Sequence, residues 1–176
     1  MTVNIVPPYG GWAEFRSFVS WAIDTLMASY PMAEKTLKPT RGHLRYIDAF
    51  DAKYGFDAFS EFVEEHLGAA QPIRTAVIEE IAVHPNQITF SFDSVFPAKS
   101  PIGANVRFRI APGQTDGRKA AVMELHCDGR LKGDFMSKDE LFSWYDDAHR
   151  TLSMAFDRTV SKELKSRFGA IKEIRQ

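Results

Sequence analysis

The chain has 176 residues, of which 44% are hydrophobic and 26% charged, and its net charge is −1 at neutral pH. That is the length of one domain and the composition of a globular protein able to bury a core. The near-zero charge argues against nucleic acid or an anionic membrane surface as a general partner, and no apolar run is long enough to span a bilayer.

The N-terminus, Met1 to Pro8, lacks the charged and apolar regions of a signal peptide. Val3–Val6 reads as a short strand ended by Pro7-Pro8, and Tyr9-Gly10-Gly11 as a turn. A helix follows from Trp12 to Ser29, with Trp12, Phe15, Val19, Ala22, Ile23 and Leu26 on one stripe. Trp21 lies off that stripe and Phe18 at its margin, which marks them as a candidate partner surface or as residues covered by a neighbouring loop. Met32–Pro39 is a connector, and Arg41–Asp51 is a long strand. Its alternation puts Leu44, Tyr46 and Phe50 on one face, and Arg41, His43, Arg45, Ile47 and Ala49 on the other.

Asp57 is placed to cap a short helix that ends at Leu67 with Gly68 as its stop. Ala69–Pro72 is a loop. Thr75–His84 reads as a strand, although its period also admits a helix, and Pro85-Asn86 as a turn. Three alternating segments follow: Ile88–Val95, Val106–Ile110 and Ala120–Asp128. They are separated by Pro97–Gly103 and by a glycine-rich hairpin loop, Pro112–Arg118, and closed by an Asp128-Gly129 turn. Short connections make these strands antiparallel neighbours with one covered and one open face. Ser137 and Glu140 form a capping box that starts a long helix with Leu141, Trp144, Tyr145, Ala148, Leu152 and Phe156 as its stripe. A last short helix runs from Ser161 to Phe168 with Gly169 as its stop, and 170–176 is a final strand or a frayed tail.

The expected fold is therefore α+β: an antiparallel sheet covered on one face by the long C-terminal helix, with two earlier helices between the first strands, in a single domain.

The polar sides of the strands are where chemistry would sit. Arg41, His43 and Arg45 share one face, Arg107 and Arg109 another, and Glu124, His126 and Asp128 a third. If these faces coincide, the cluster could grip a phosphate or carboxylate through forked arginine contacts, with His43 or His126 moving a proton. The same residues equally suit a salt-bridged sheet surface. No metal site is expected: Glu124, His126 and His43 are the nearest to a ligand set, and His66, His84 and His149 are scattered. No cofactor is implied either, since dinucleotide, phosphate-loop and nucleophile-elbow motifs are absent. Nor do aromatic and basic residues interleave as on an RNA-binding sheet. Cys127 stands alone, which excludes an intrachain disulfide and fits a reducing, cytoplasmic compartment; on the apolar side of its strand it reads as a structural thiol. Residues 150–176 hold seven Lys/Arg against three acids, a net of +4 that leaves −5 on the rest, and this reads as a solvated helix surface or a contact for an acidic partner.

Three stretches, Tyr9-Gly10-Gly11-Trp12-Ala13-Glu14-Phe15, Leu44-Arg45-Tyr46-Ile47-Asp48 and Leu141 to Phe156 followed by Thr159 to Leu164, carry a family likeness. Together they resemble the sporadically distributed, uncharacterised family of prokaryotic proteins marked by an Arg-Tyr-Ile-Asn strand signature. Asp48 stands where that signature has Asn. Members usually carry a further N-terminal segment, so the resemblance implies that this chain is a truncated member or a C-terminal portion, with Trp21 as a surface for that segment. The family brings no agreed activity, cofactor or catalytic residues.

The leading expectation is a non-enzymatic cytoplasmic module that binds a protein partner or an anionic small molecule through Arg41, His43, Arg45, Arg107, Arg109, Glu124 and His126. The alternative is an enzyme that clamps a phosphate- or carboxylate-bearing substrate with the same cluster. A small apolar ligand between sheet and long helix is a third reading, and a homo-oligomer stays open.

Overall fold

The computed structural model describes residues 1–6, 10–84, 88–131 and 137–173. In chain order they form α1 (Trp12–Ser29), α2 (Ala33–Thr36), β1 (Arg41–Phe50), a 3-10 turn (Ala52–Tyr54), α3 (Phe59–Leu67), α4 (Thr75–Ile81), β2 (Phe92–Pro97), β3 (Ala104–Thr115), β4 (Arg118–Arg130), α5 (Lys138–Thr159) and α6 (Lys162–Glu173). The sheet has the order β1-β4-β3-β2, and every neighbouring pair is antiparallel. β2, β3 and β4 follow one another as hairpins, and β1 closes the far edge against β4.

Alternation divides the sheet into two faces. The inner rows, Leu44 and Phe50 of β1, Val106 and Ile110 of β3, and Met123, Leu125 and Cys127 of β4, are buried. The capping box at Ser137 starts α5, which presses Trp144, Ala148 and Leu152 onto this face. Phe59, Phe62, Val63 and Leu67 of α3 and Leu164 of α6 complete the core. Each such side chain taken fully out of water contributes about 1.5–3 kcal/mol before conformational entropy is counted. The outer face stays open: Arg41, His43, Arg45, Ile47, Arg107 and Arg109 are all exposed. Among the described residues, no helix is long and apolar enough to cross a membrane.

The α+β architecture matches expectation, with corrections in its parts. Val3–Val6 is irregular rather than a strand. Thr75–Ile81 is a helix, because neither strand face would be apolar throughout: Val77 and Ile81 are exposed beside Glu79, and of the helix's apolar residues Ile78 alone is buried. Of the two helices expected between the first strands, α1 therefore precedes the first strand, β1, while α3 lies between β1 and β2 and is joined there by α4. Ala58, not Asp57, precedes α3, and no side chain caps it. Part of the 32–39 connector coils into α2. Ile88–Ser91 is irregular, so β2 begins at Phe92.

The glycine-rich loop 112–118 is a tight hairpin. β3 runs to Thr115 and β4 starts at Arg118, leaving Asp116-Gly117 with φ of 49° and 74°. Two positive φ values are what a two-residue turn matched to strand twist requires, and Asp-Gly supplies them. Asp128-Gly129 does not turn; β4 passes through it, paired to His43 and Gly42 on one side and to Asn105 and Ala104 on the other. Helix α6 continues through position 169 to Glu173. The expected Pro7-Pro8 strand end, the Tyr9 part of its turn, the Pro85-Asn86 turn and the last three residues of the tail lie outside the described residues.

Candidate functional site

The strand register brings all seven sequence-predicted ligand residues onto the open face. Arg45 faces His126, and His126 faces Arg107, so these three form one row across β1, β4 and β3. In the next row Glu124 stands between Ile47 and Arg109, and Arg109 faces Asp93.

The charges on this face are matched to one another. The fork of Arg41 closes on both oxygens of Asp128. The fork of Arg107 closes on Asp93, with Nε at 2.9 Å from Oδ1. Arg45 donates to Glu124 at 2.6 Å, His126 Nε2 lies 3.0 Å from the same oxygen, and Arg109 stands 3.8 Å from its neighbour. His43 Nε2 is 3.3 Å from His126 Nδ1. Hydrogen bonds from Arg107 and Arg41 hold the Asp93 and Asp128 carboxyls below the usual range. Partial burial raises Glu124, but the hydrogen bonds of His126 and Arg45 together outweigh it and the net shift is downward. Burial and the adjacent His126 lower His43. An anion arriving here would have to displace carboxylates already held in arginine forks. The face is thus a cross-strand ion-pair lattice. Arg45→Ala is expected to lower stability by only about 0.5–1 kcal/mol in urea melts, because Arg45 is 43% exposed and Glu124 retains His126 and Arg109.

Phe18 and Trp21 are 45% and 68% exposed on α1, so no described loop covers them, and neither lines the cleft described next. The buried Cys127 thiol is pushed up to about 11 by burial, which fits a structural role.

Opposite the lattice, on the helix side of β1, is a partly enclosed cleft of about 730 Å³. Its walls are Val3–Val6, Trp12 and Phe15 of α1, Arg45–Asp48 of β1, and His149, Leu152, Ser153, Phe156 and Asp157 of α5. The strand's inner row, Leu44, Tyr46, Asp48 and Phe50, carries polar atoms at its centre, and Tyr46 and Asp48 line this cleft. Tyr46 Oη lies 2.8 Å from His149 Nδ1, and Ser153 Oγ lies 3.3 Å from the same nitrogen. Trp12 stacks on the imidazole at 4.5 Å and 6°, and its indole N–H donates to Asp146 at 2.9 Å. Arg16 bonds the same carboxylate at 3.0 Å and lies over the Phe142 ring. Burial holds His149 below its usual range, with Asp146 acting the other way, so the imidazole is neutral near pH 7.

Asp48 differs from every other carboxylate in the site. It makes no hydrogen bond or ion pair among the described residues, and burial alone pushes its carboxyl up to about 6. The other charged groups at the cleft are matched: Arg45 by Glu124, and Asp157 by Lys165 at 3.4 Å. A shallower depression of about 570 Å³ shares Trp12 and His149 as wall, and its Arg16 and Asp146 are paired with each other.

Of the seven residues expected from the sequence, Arg45 also lines this cleft, and the other six lie outside it. In the sequence His149 stands apart from the other histidines and Tyr46 falls on the apolar side of its strand. The available signal was Asp48 itself, a carboxylate at an inner position of an otherwise apolar row. Four consecutive β1 residues, Arg45, Tyr46, Ile47 and Asp48, all line this cleft.

Among the described residues one group resembles a metal-ligand set: donor atoms of Glu65, His66 and Glu163 lie within 4.8 Å of one another. His66 is buried, bonds Ser161 Oγ at 3.1 Å and packs against Phe62, so it already joins α3 to the start of α6. Compared with protein-family models, with curated proteins and with solved structures, the chain matches none.

Proposed function

We propose that the protein is a non-enzymatic, cytoplasmic binding module whose ligand is a small molecule held in the cleft between β1, α1 and α5. The observation that carries this reading is Asp48, a carboxylate without a partner among the described residues, kept in a cleft of ordinary ligand size with aromatic residues in its walls. An uncompensated half-buried charge costs stability, and its retention is explained by something that pairs with it when bound. The buried lone thiol supports the reducing compartment.

A second reading, a protein partner on the open face of the sheet, is favoured by Ile47 and Val95, which are 55% and 61% exposed among the ion pairs. An enzyme using Arg45, Arg107 and Arg109 as an anion clamp draws less support, because Glu124 and Asp93 already occupy them.

Fragment screening by amide and indole NMR separates these readings. Under the cleft reading, hits shift the Trp12 indole N–H and the amides of 45–48 and 149–157. Hits confined to the amides of 107, 109, 124 and 126 would replace it with the open-face reading.

A further inference from the structure

The cleft's chemistry narrows its ligand class, an inference that rests on reading the cleft as the ligand site. We propose that the cleft takes an organic ammonium ion, with its nitrogen paired to Asp48 and its apolar body against Trp12, Phe15 and Phe156.

Charge balance is the first argument. Of the charged groups lining the cleft, Arg45 is neutralised by Glu124 and Asp157 by Lys165, and His149 is neutral, which leaves the carboxylate of Asp48 without a counter-ion among the described residues. An anionic ligand would meet an unscreened like charge there, and a neutral ligand would leave the carboxylate buried and unpaired.

The walls give the second argument. Aromatic faces attract a cation that has already shed water, and Trp is the strongest such partner. Trp12, Phe15, Tyr46 and Phe156 supply four rings to the lining of the cleft that Asp48 also lines. A hydrated metal ion suits this site poorly, because calcium and magnesium want six or more oxygens and the other carboxylate in the lining, Asp157, is already paired with Lys165. An alkyl- or arylammonium ion needs one carboxylate, one or two further acceptors and an apolar slot. Tyr46 Oη and Ser153 Oγ, both bonded to His149, line the same space and can reorient toward an N–H donor.

The test uses the full chain and three isosteric probes: phenethylammonium, the neutral 2-phenylethanol and the anionic 3-phenylpropionate. Each is titrated to about 10 mM while the Trp12 indole N–H and the 45–48 amides are followed by NMR, a range that captures millimolar fragment affinities. Phenethylammonium is expected to bind at least about 10-fold more tightly than the alcohol, with no measurable binding of the carboxylate. Asp48→Asn should bring the amine and the alcohol within about 3-fold of each other, with a melting curve showing that the variant is folded. If the alcohol or the carboxylate binds as tightly as the amine, or if Asp48→Asn leaves the amine's affinity unchanged, the ammonium assignment is overturned while the cleft reading survives. If none of the three probes moves the cleft resonances, both fall.

Discussion

Asp48→Asn is expected to stabilise the protein by about 2 kcal/mol at pH 7.5, raising Tm by roughly 4–8 °C, and to change little near pH 4. The folded-state carboxyl titrates at about 6 against 3.8 for a solvated Asp, with burial as the cause. Between those two values the folded chain binds more protons than the unfolded chain. Stability contributed by the neutral acid is therefore lost as pH rises from about 4 to about 6, and above that the folded state carries the cost of a buried, unpaired charge. Two pKa units correspond to roughly 3 kcal/mol, from which a partnerless buried amide takes back about 1 kcal/mol. Thermal melts of wild type and variant across pH 4–8 read the effect directly. Parallel curves, or a variant less stable at pH 7.5, would show that Asp48 is not the burden described above. The expected gain is what a functional carboxylate predicts: a group kept for binding at the expense of stability. A saturating organic ammonium should remove part of the difference, because it supplies the missing counter-ion to the folded state alone.

The sheet and its covering helix were legible because both rest on local pattern. Alternation in β3 and β4, the Ser137 capping box and the Trp144–Ala148–Leu152 stripe each specify one element and one buried face. The failures occurred where local pattern was silent about tertiary neighbours. Val77 and Ile81 suggest a strand, but they pair with no strand among the described residues, and their exposure leaves a helix with Ile78 alone of its apolar residues buried. Gly129 looked like a turn residue, although in a central strand a glycine more often marks close approach than reversal. Whether the three polar strand faces coincide is open in the sequence and is decided by the strand register, and a sequence does not show that Asp93 and Asp128 fill the arginine forks. The cleft was the hardest part to foresee. It combines Val3–Val6, Trp12, Tyr46, Asp48 and His149, which come from four separate segments.

Gly42→Ala is the second large effect: it is expected to cost about 2–3 kcal/mol despite alanine's better strand propensity and its lower unfolded-state entropy. A Cβ at Gly42 would stand 2.7 Å from Cζ3, 2.8 Å from Cε3 and 2.9 Å from Cη2 of Trp144. The indole has no room to retreat, since it is 8% exposed and held edge-on by Tyr145 at 5.1 Å. Small residues continue across the sheet beneath it, where Gly42 pairs with Gly129 and Gly129 with Ala104. A Cβ on Gly129 would come within 2.9 Å of the Ala104 backbone, so this row has no slack in either direction. The buried Trp144 Nε1 has no hydrogen-bond partner among the described residues, so the indole is retained for its shape rather than for its donor. Trp144→Phe removes the atoms that an added Cβ would strike, and the double variant should be more stable than the sum of the single changes by about 1 kcal/mol or more in urea melts. Strict additivity would mean that the Gly42–Trp144 contact does not set the helix–sheet spacing. The same contact seats α5 on β1 and so positions His149 and Ser153 over Tyr46. Gly42→Ala should therefore also disturb the Trp12–His149 stack, seen as a shift of the Trp12 indole N–H under conditions where the variant is still fully folded.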